Sequence, residues 1–533
     1  MKRFFSKLFS KSPTSGRVPS PDSDYSEEEQ RLLAEENGYF QDSNEYVEPN
    51  IPAVYGSMVP VAQQLQQHHV HTPGESFADN ASGYPVIKHE LSELLRLGSP
   101  TVIAYLLQSS EQFSTVFTLG HLGKEYLAAS SLSTMTAAIS AFSIFQGVIS
   151  SLDTLATQAF GANKPYNVAI YLQRCLLILA VLHIPVALIW LNLEHILIFL
   201  HQDPMVAHLC GRYMRVFILA APGYAVFEAL KRYLQAQGIF TPITYVLCFA
   251  APLNILLNYL LVWHPTIGFG FLGAPVAVAT TFWFQSICLI LYICFSSTPI
   301  PWPGFSRQAL KNLSPMLHFS FHGMLMIVTE WAAYEMTSLG AGYLGTAPLA
   351  SQSILLTSTS LLFQIPFAFA VASSTRVGHL IGSGRANLAR LCSRVAYSLA
   401  LCISIFDGSL IFCFRDVWGS LFTSDPEVLA VVKDIFPILS LFIVTDGLNA
   451  VGGGLLRGTG KQYIGGLISI GSSYLFALPV TVFVVVYFNT GLKGIWCGMI
   501  LSSVTAITCQ FTVLFNTDWH RVLQEARHRL THV

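Results

Sequence analysis

The sequence is short of charge. Asp, Glu, Lys and Arg make up 11% of its 533 residues, where soluble domains carry about a quarter. So small a charged fraction cannot cover a water-facing surface. The net charge is −1, which leaves no electrostatic footprint for a nucleic-acid partner. The ten cysteines, among them Cys175, Cys248, Cys402 and Cys509, stand singly in apolar runs with no CxxC pair. Neither a disulfide framework nor a zinc site is expected from them. His183, His195, His264, His318 and His322 show no HExxH spacing, and "HHVH" at 68–71 falls in a polar stretch. No GxSxG turn or phosphate-cradling glycine loop is present either. The expectation is therefore no metal, no other cofactor, no use of ATP, and not an enzyme. What remains is 52% hydrophobic with a mean hydropathy of +0.52: a polytopic membrane protein.

Residues 1–87 are of a different kind. "SPTSGRVPSPDSDYSEEEQ" and "PGESFADNASGYP" are rich in Ser, Pro, Gly and acid and cannot bury enough apolar surface to offset chain entropy. They are expected to form a disordered cytosolic tail without a cleavable signal peptide. Its start, "MKRFFSKLFSK", reads as a plain basic terminus, with a membrane-surface segment or an organelle presequence as alternatives. From Leu91 onward apolar runs of about 20 residues recur, the length of a membrane-crossing helix. They predict an all-α chain of twelve spans, near 94–119, 126–150, 168–192, 206–230, 240–263, 272–296, 315–340, 349–372, 392–414, 428–456, 464–487 and 494–516. Lys164, Lys231, Arg232, Arg307, Lys311, Arg376, Arg385, Arg390, Arg457, Lys461 and Arg521 fall in the even-numbered connections or the C-terminal tail. By the positive-inside rule both termini then face the cytosol.

The two halves are copies. "DPMVAHLCGRYMRVFILAAPGYAVFEALKRYLQAQG" begins at Asp203, and "DPEVLAVVKDIFPILSLFIVTDGLNAVGGGLLRGTG" begins 222 positions later at Asp425. The pairs His121/Tyr343 ("HLGKEYLAASSL", "YLGTAPLASQSI") and Leu91/Leu313 keep the same offset. A repeat of six spans in one orientation means two bundles related by an axis along the membrane normal. Such bundles enclose a central cavity, and rocking one against the other gives alternating access. The expected organisation is a tail (1–87), an N-terminal six-helix bundle (88–300), a C-terminal six-helix bundle (301–516) and a cytosolic C-terminal tail (517–533).

Within this frame "TLATQAFGANKPYNVAIYLQR" (Thr154–Arg174) and "STRVGHLIGSGRANLAR" (Ser374–Arg390) resemble the paired cytosolic loops of the multidrug and toxic compound extrusion (MATE) family. "RYLQAQG", "PLNILLNY", "TEWAAYE" and "GGGLLRGTGKQ" sit where that family has them, and the likeness runs from about residue 88 to 516. The form resembles the eukaryotic branch, fungal members in particular. The resemblance implies a MATE-type fold and exchange of protons, with sodium as the alternative ion, for small organic cations or other amphiphilic metabolites leaving the cytosol. A working unit of one chain in membrane lipid follows as an expectation.

The segment "MLMIVTEWAAYEMTSL" (Met324–Leu339) places Glu330 and Glu335 in a greasy run with no cation nearby. A charge at mid-bilayer costs about 2.5–3.5 kcal/mol on insertion scales, so such a group usually faces a cavity and has a task. Glu330 shares a helical face with Tyr334 and Thr337. In the family the Glu of the "EW" pair binds the coupling ion or substrate; it maps onto Glu330, with Glu335 as a secondary partner. The family's second acid of this bundle maps onto Asp446 in "VTDGLNAV". Helix capping or structural water is the plainer alternative for these groups. In the N-terminal bundle prokaryotic relatives carry an Asp aligned with Thr115, where the acid here is Glu111, one turn earlier. Their fifth-span polar pair maps onto Asn254 and Asn258. Two readings stand side by side for this set, an ion or substrate site and a packing network. Asp153 is expected to cap a loop near Lys164 or Arg174. Trp331 and Tyr334 are candidate cavity aromatics for cation–π contact.

Two other functions are weighed. A lipid-linked substrate flippase would want more cationic side chains in the cavity to hold phosphates, and a multispan membrane enzyme would want catalytic residues clustered at one interface. Finally "EEQRLL" sets Glu28 four residues before Leu32 and Leu33, a pattern that sorting adaptors read in extended cytosolic peptides. It points to the vacuolar or a related endomembrane, with the plasma membrane as runner-up.

Overall fold

Helix signals repeat with the sequence. Both copies of the long repeat open on Asp-Pro, and both aspartates cap a helix. Asp203 Oδ1 accepts from the backbone N–H of Met205 (2.8 Å) and Val206 (3.2 Å), and Asp425 Oδ1 accepts from Glu427 (2.9 Å). The prolines follow at the first helical position, where no N–H is needed. The glycines that close the two segments, Gly238 and Gly460, adopt φ of 75° and 77°, the left-handed region that only glycine enters at little cost.

The computed structural model describes residues 84–296, 302, 304–423 and 425–531. The longer described helices are α1 (Tyr84–Gly120), α2 (Glu125–Gly161), α3 (Pro165–Leu191), α4 (Pro204–Phe217 and Ala220–Gln235, bent by 50° between them), α5 (Thr241–Trp263) and α6 (Gly273–Phe295), with a short helix, Leu193–Phe199, between α3 and α4. After the connection come α7 (Ser314–Leu344), α8 (Thr346–Gly382), α9 (Ala386–Trp418), α10 (Pro426–Gly458), α11 (Gln462–Phe488), α12 (Gly491–Phe515) and α13 (Trp519–Thr531). π-helical turns interrupt α2 at Ala138–Phe142 and α11 at Gly471–Ala477. The expected tail 1–87 and the sorting residues Glu28, Leu32 and Leu33 lie outside the described residues, apart from the first turn of α1.

Among the described residues nine helices, α2, α3, α5, α6 and α8–α12, are long and apolar enough to cross a membrane, and the bent α4 makes a tenth. Two expected spans, α1 and α7, form helices of 37 and 31 residues but carry too many polar groups to pass as apolar. Those are the two helices that hold Glu111, Glu330 and Glu335.

Helices α1–α6 pack into one bundle and α7–α12 into the other, joined across the middle by α1 on α8, α2 on α7 and α2 on α8. One core fills the first bundle, and two fill the second. A small cluster of Leu97, Tyr105, Phe240, Ala368, Val371 and Ala372 spans both. The C-terminal tail of the sequence reading is partly a helix. One apolar face of α13, with Trp519, Val522, Leu523 and Ala526, is buried against the second bundle. Its far end reaches both bundles: Lys164 Nζ donates to the Leu530 carbonyl (3.0 Å) and Arg529 Nη2 to Gln158 Oε1 (3.1 Å), while the Arg529 guanidinium lies 5.5 Å from the Phe319 ring centre.

Candidate functional site

Contacts between the bundles are concentrated at one end, the one that carries both Tyr84 and Thr531. Among the described residues the hydrogen bonds that cross the interface lie there. Thr154 Oγ1 donates to the Arg457 carbonyl, Gln158 Nε2 to that of Gly458 (3.0 Å), Gln462 Nε2 to that of Ser150 (2.9 Å), and Arg376 holds Glu90 through Nε (3.0 Å) and Nη2 (2.7 Å). Backbones meet closely at the same end. A Cβ on Gly147 of α2 would fall 2.4 Å from Met324 Cα of α7, and one on Gly161 would fall 2.3 Å from the His379 carbonyl oxygen of α8. Toward the other end α7 opens: from Glu330 to Gly340 none of its residues is fully buried. The interface is thus a closed floor beneath a gap that widens toward the opposite face.

Glu330 is half-buried where the gap begins. One turn on, the Tyr334 hydroxyl donates to Asp446 Oδ2 of α10 at 3.0 Å, and Asp446 is 4% exposed. Glu330 and Asp446 lie within electrostatic reach of each other, so α7 and α10 bring together the two carboxylates paired in the sequence reading. Tyr334 also packs edge-on to Phe442. Thr337 Oγ1 donates to the Tyr334 carbonyl (2.6 Å) and accepts from Gln352 Nε2 (2.9 Å), whose Oε1 accepts from Trp496 Nε1 (2.9 Å). This chain of bonds fixes the outer half of α7. Glu335 and Trp331 are half-buried on the same helix.

In the first bundle Glu111 is buried, and its Oε1 accepts from Gln285 Nε2 of α6 at 2.7 Å. Asn258 Nδ2 reaches Thr115 Oγ1 (3.4 Å) and Asn254 Oδ1 (3.0 Å), and Asn254 Nδ2 donates to Thr281 Oγ1 (3.0 Å). The four expected residues do form one region, completed by Gln285 and Thr281, and it is turned into the bundle between α1, α5 and α6. The position that the 222-residue offset assigns as the counterpart of Glu330 is Gln108, and that of Asp446 is Tyr224. Both sit in a different cluster. Glu228 Oε1 accepts from Gln108 Nε2 (2.9 Å) and Lys231 Nζ (2.6 Å), and Gln146 Nε2 donates to Glu228 Oε2 (2.8 Å) and to the Tyr224 hydroxyl (2.7 Å).

Several basic residues are not where the sequence reading put them. Lys231, Arg232 and Arg457, assigned to connections, are buried inside α4 and α10 at 5% exposure or less. Asp153 meets Arg457 (3.2 Å) and Arg232 (3.5 Å) rather than Lys164 or Arg174. Arg174 instead donates to the Gln308 carbonyl (3.3 Å) in the connection between the bundles. The long helices run past the apolar windows, and the opposing bundle covers their last turns; no window on one segment carries that signal. Glu228 and Asp407, a carboxylate buried in α9, were also missed. The signal for both was present, an acid inside an apolar run.

A duplicated pair of six-helix bundles, closed at one end, with paired carboxylates at the base of the gap, defines a membrane transporter. The comparisons with known proteins agree. A family model described as MatE matches residues 100–260 and again 324–483, once in each bundle. An uncharacterized transporter of Schizosaccharomyces pombe is 44% identical over 83% of this chain and 82% of its own length. Protein DETOXIFICATION 16 of Arabidopsis thaliana is 34% identical over 83% of this chain and 92% of its own. The crystal structure of the eukaryotic MATE transporter AtDTX14 superposes with a TM-score of 0.79 at 29% identity, covering 83% of this chain and 99% of that one. The chain belongs to the MatE family, with the twelve-helix fold of MATE transporters.

Proposed function

We propose that this transporter is an antiporter that exchanges protons for small organic, mainly cationic or amphiphilic, substrates and carries them out of the cytosol. The observation that supports this most is the Glu330–Tyr334–Asp446 group: two carboxylates close enough to feel each other, one of them held by the Tyr334 hydroxyl, at the base of the open gap. Burial disfavours two charges so placed, so such a pair readily holds and releases a proton. A cationic substrate competes for the same negative charge, which yields exchange. Trp331, Tyr334 and Glu335 extend the site along α7, and the Glu111–Thr115–Asn254–Asn258 region serves to hold the first bundle together. The end bearing both termini faces the cytosol in this reading. One chain supplies both bundles, which supports a monomer as the working unit.

Flux of a fluorescent organic cation into proteoliposomes under an imposed pH gradient, or an imposed sodium gradient, tests the coupling. The wild type is expected to respond to pH, and Glu330→Gln and Asp446→Asn each to lose that response while inserting normally. A response to sodium alone would overturn proton coupling, and two active variants would remove both residues from the mechanism. The "EEQRLL" segment supports delivery by a sorting adaptor to the vacuolar membrane, where an acidic lumen supplies the gradient. Leu32 and Leu33 replaced by Ala should send a tagged protein to the cell surface. A tagged wild type already found there would refute this location.

A further inference from the structure

The floor of the gap holds more positive than negative charge. Asp153 of α2, Glu228, Lys231 and Arg232 of α4 and Arg457 of α10 are all at 5% exposure or less. Lys231 and Glu228 satisfy each other at 2.6 Å, which leaves one carboxylate, Asp153, for two guanidinium groups. Arg457 Nε stands 3.2 Å from Asp153 Oδ2 across the bundle interface, and Arg232 Nη1 stands 3.5 Å from Oδ1. Neither contact closes into a hydrogen bond. The Arg457 guanidinium also faces its own bundle. A Cβ on Gly453 would meet Arg457 Nη1 at 3.7 Å and Met326 Cε at 2.5 Å, so the guanidinium lies beside α7, one turn from Glu330. The groups in its electrostatic reach are Asp153 from α2, Arg232 from α4, Tyr105 from α1 and Glu330 from α7. Arg232 is in turn within reach of Glu228 and Tyr224, and Glu330 of Asp446.

We propose that Arg457 is the residue that couples the proton site to closure of the floor, its guanidinium being shared between Asp153 across the interface and Glu330 within its own bundle. This rests on the reading of Glu330 as a proton-carrying carboxylate. With Glu330 ionised and Asp446 carrying the proton of the pair, three cations face three carboxylates and the closed floor is balanced. With Glu330 protonated, closing the floor buries one cation in excess, and an uncompensated buried charge is strongly disfavoured. The floor then opens and the guanidinium regains water. A proton taken up from the open face thereby promotes opening at the opposite end, a population shift driven by differential binding to the two states. Arg457 acts by position: it need not touch substrate or carry the proton.

Hydrogen exchange of the floor segments 150–162 and 455–462, in the full chain in nanodiscs and corrected for intrinsic rates, reads this directly. The wild type should be better protected at pH 8 than at pH 5, by a factor within the roughly 5- to 150-fold range of allosteric coupling. Arg457→Gln removes the excess cation, so protection at pH 5 should no longer fall below that at pH 8. Arg457→Lys keeps the cation, should retain the wild-type sign, and keeps the test alive if the first variant does not fold. A folded Arg457→Gln variant that keeps the wild-type difference, or a folded Arg457→Lys variant that loses it, overturns the proposal. Glu330→Gln separates the two levels. If it retains pH-driven flux, the assignment of the proton site fails. If it loses flux while Arg457→Gln keeps the wild-type pH difference, only the role of Arg457 fails.

Discussion

Replacing Gly147 by Ala adds one methyl group where α2 and α7 meet across the interface. The new Cβ would stand 2.4 Å from Met324 Cα, 2.7 Å from its nitrogen and 2.8 Å from its Cγ. Carbon atoms rest at about 3.5–4.0 Å, so the two helices must part by about 1 Å. Two of the three atoms are backbone and cannot rotate away. Overpacking of this kind costs about 1–3 kcal/mol, and it falls on the closed floor alone because the contact exists only while the bundles touch. Alanine gains roughly 0.5–1 kcal/mol of helix preference over glycine in either state, so that gain cancels. The ratio of closed to open floor should fall by about 5- to 150-fold, since 1.4 kcal/mol is a factor of ten. Exchange of backbone amides in 150–162 would rise accordingly, with transport slowed by the lost closed state. Gly342→Ala is the control: it lies on α7, the helix that Gly147 faces, and a Cβ there meets nothing within 4 Å. Gly147→Ala matching that control in both exchange and flux would refute the close approach as a condition of closure.

Two further outcomes follow from individual contacts. Glu111→Leu leaves the Gln285 amide without its acceptor in a buried site, which costs about 1–3 kcal/mol; the Tm in detergent should fall while the pH profile of transport stays put. A shifted profile with an unchanged Tm would instead place Glu111 on the proton path. At the outer end Glu194 is held below its ordinary value of 4.5 by the hydrogen bond from His208, with the His208 and Arg215 charges acting in the same direction. A depressed carboxylate stabilises fully above its ordinary value and loses that effect as pH falls through the folded one. The Tm difference between wild type and Glu194→Gln should therefore shrink as pH falls below about 5; a difference that persists undiminished to about pH 3 contradicts the pairing.

The twelve helices were legible because lipid leaves the chain little choice: length and apolarity mark a span, and the bounds differ mainly where helices continue past the hydrocarbon run. The repeat was legible to the residue, since Asp203 and Asp425 cap the same turn and Gly238 and Gly460 share one backbone conformation. The pairing of Glu330 with Asp446 required the family resemblance, for nothing along the chain brings positions 116 residues apart together. The floor was not legible. Lys231, Arg232 and Arg457 look like interfacial anchors in one dimension, but Lys231 is buried against α1 and α4 of its own bundle, and Arg232 and Arg457 meet groups of the other bundle. Gln285 and Thr281, which complete the Glu111 region, are ordinary polar residues in a span; only the facing of α6 toward α1 and α5 gives them partners.

Among the described residues the short helix α13 has no twin in the first copy of the repeat, and its contacts fall on one side of the interface. A duplicated machine left to its symmetry would rest in either orientation with similar ease. Here Lys164, Gln158 and Arg529 tie the end of the chain across both bundles on one side only. Parting the bundles there breaks those ties, at about 0.5–1.5 kcal/mol for each hydrogen bond, whereas parting them on the other side breaks none of these. The contacts of residues 519–531 therefore weight the balance toward the arrangement closed on that side.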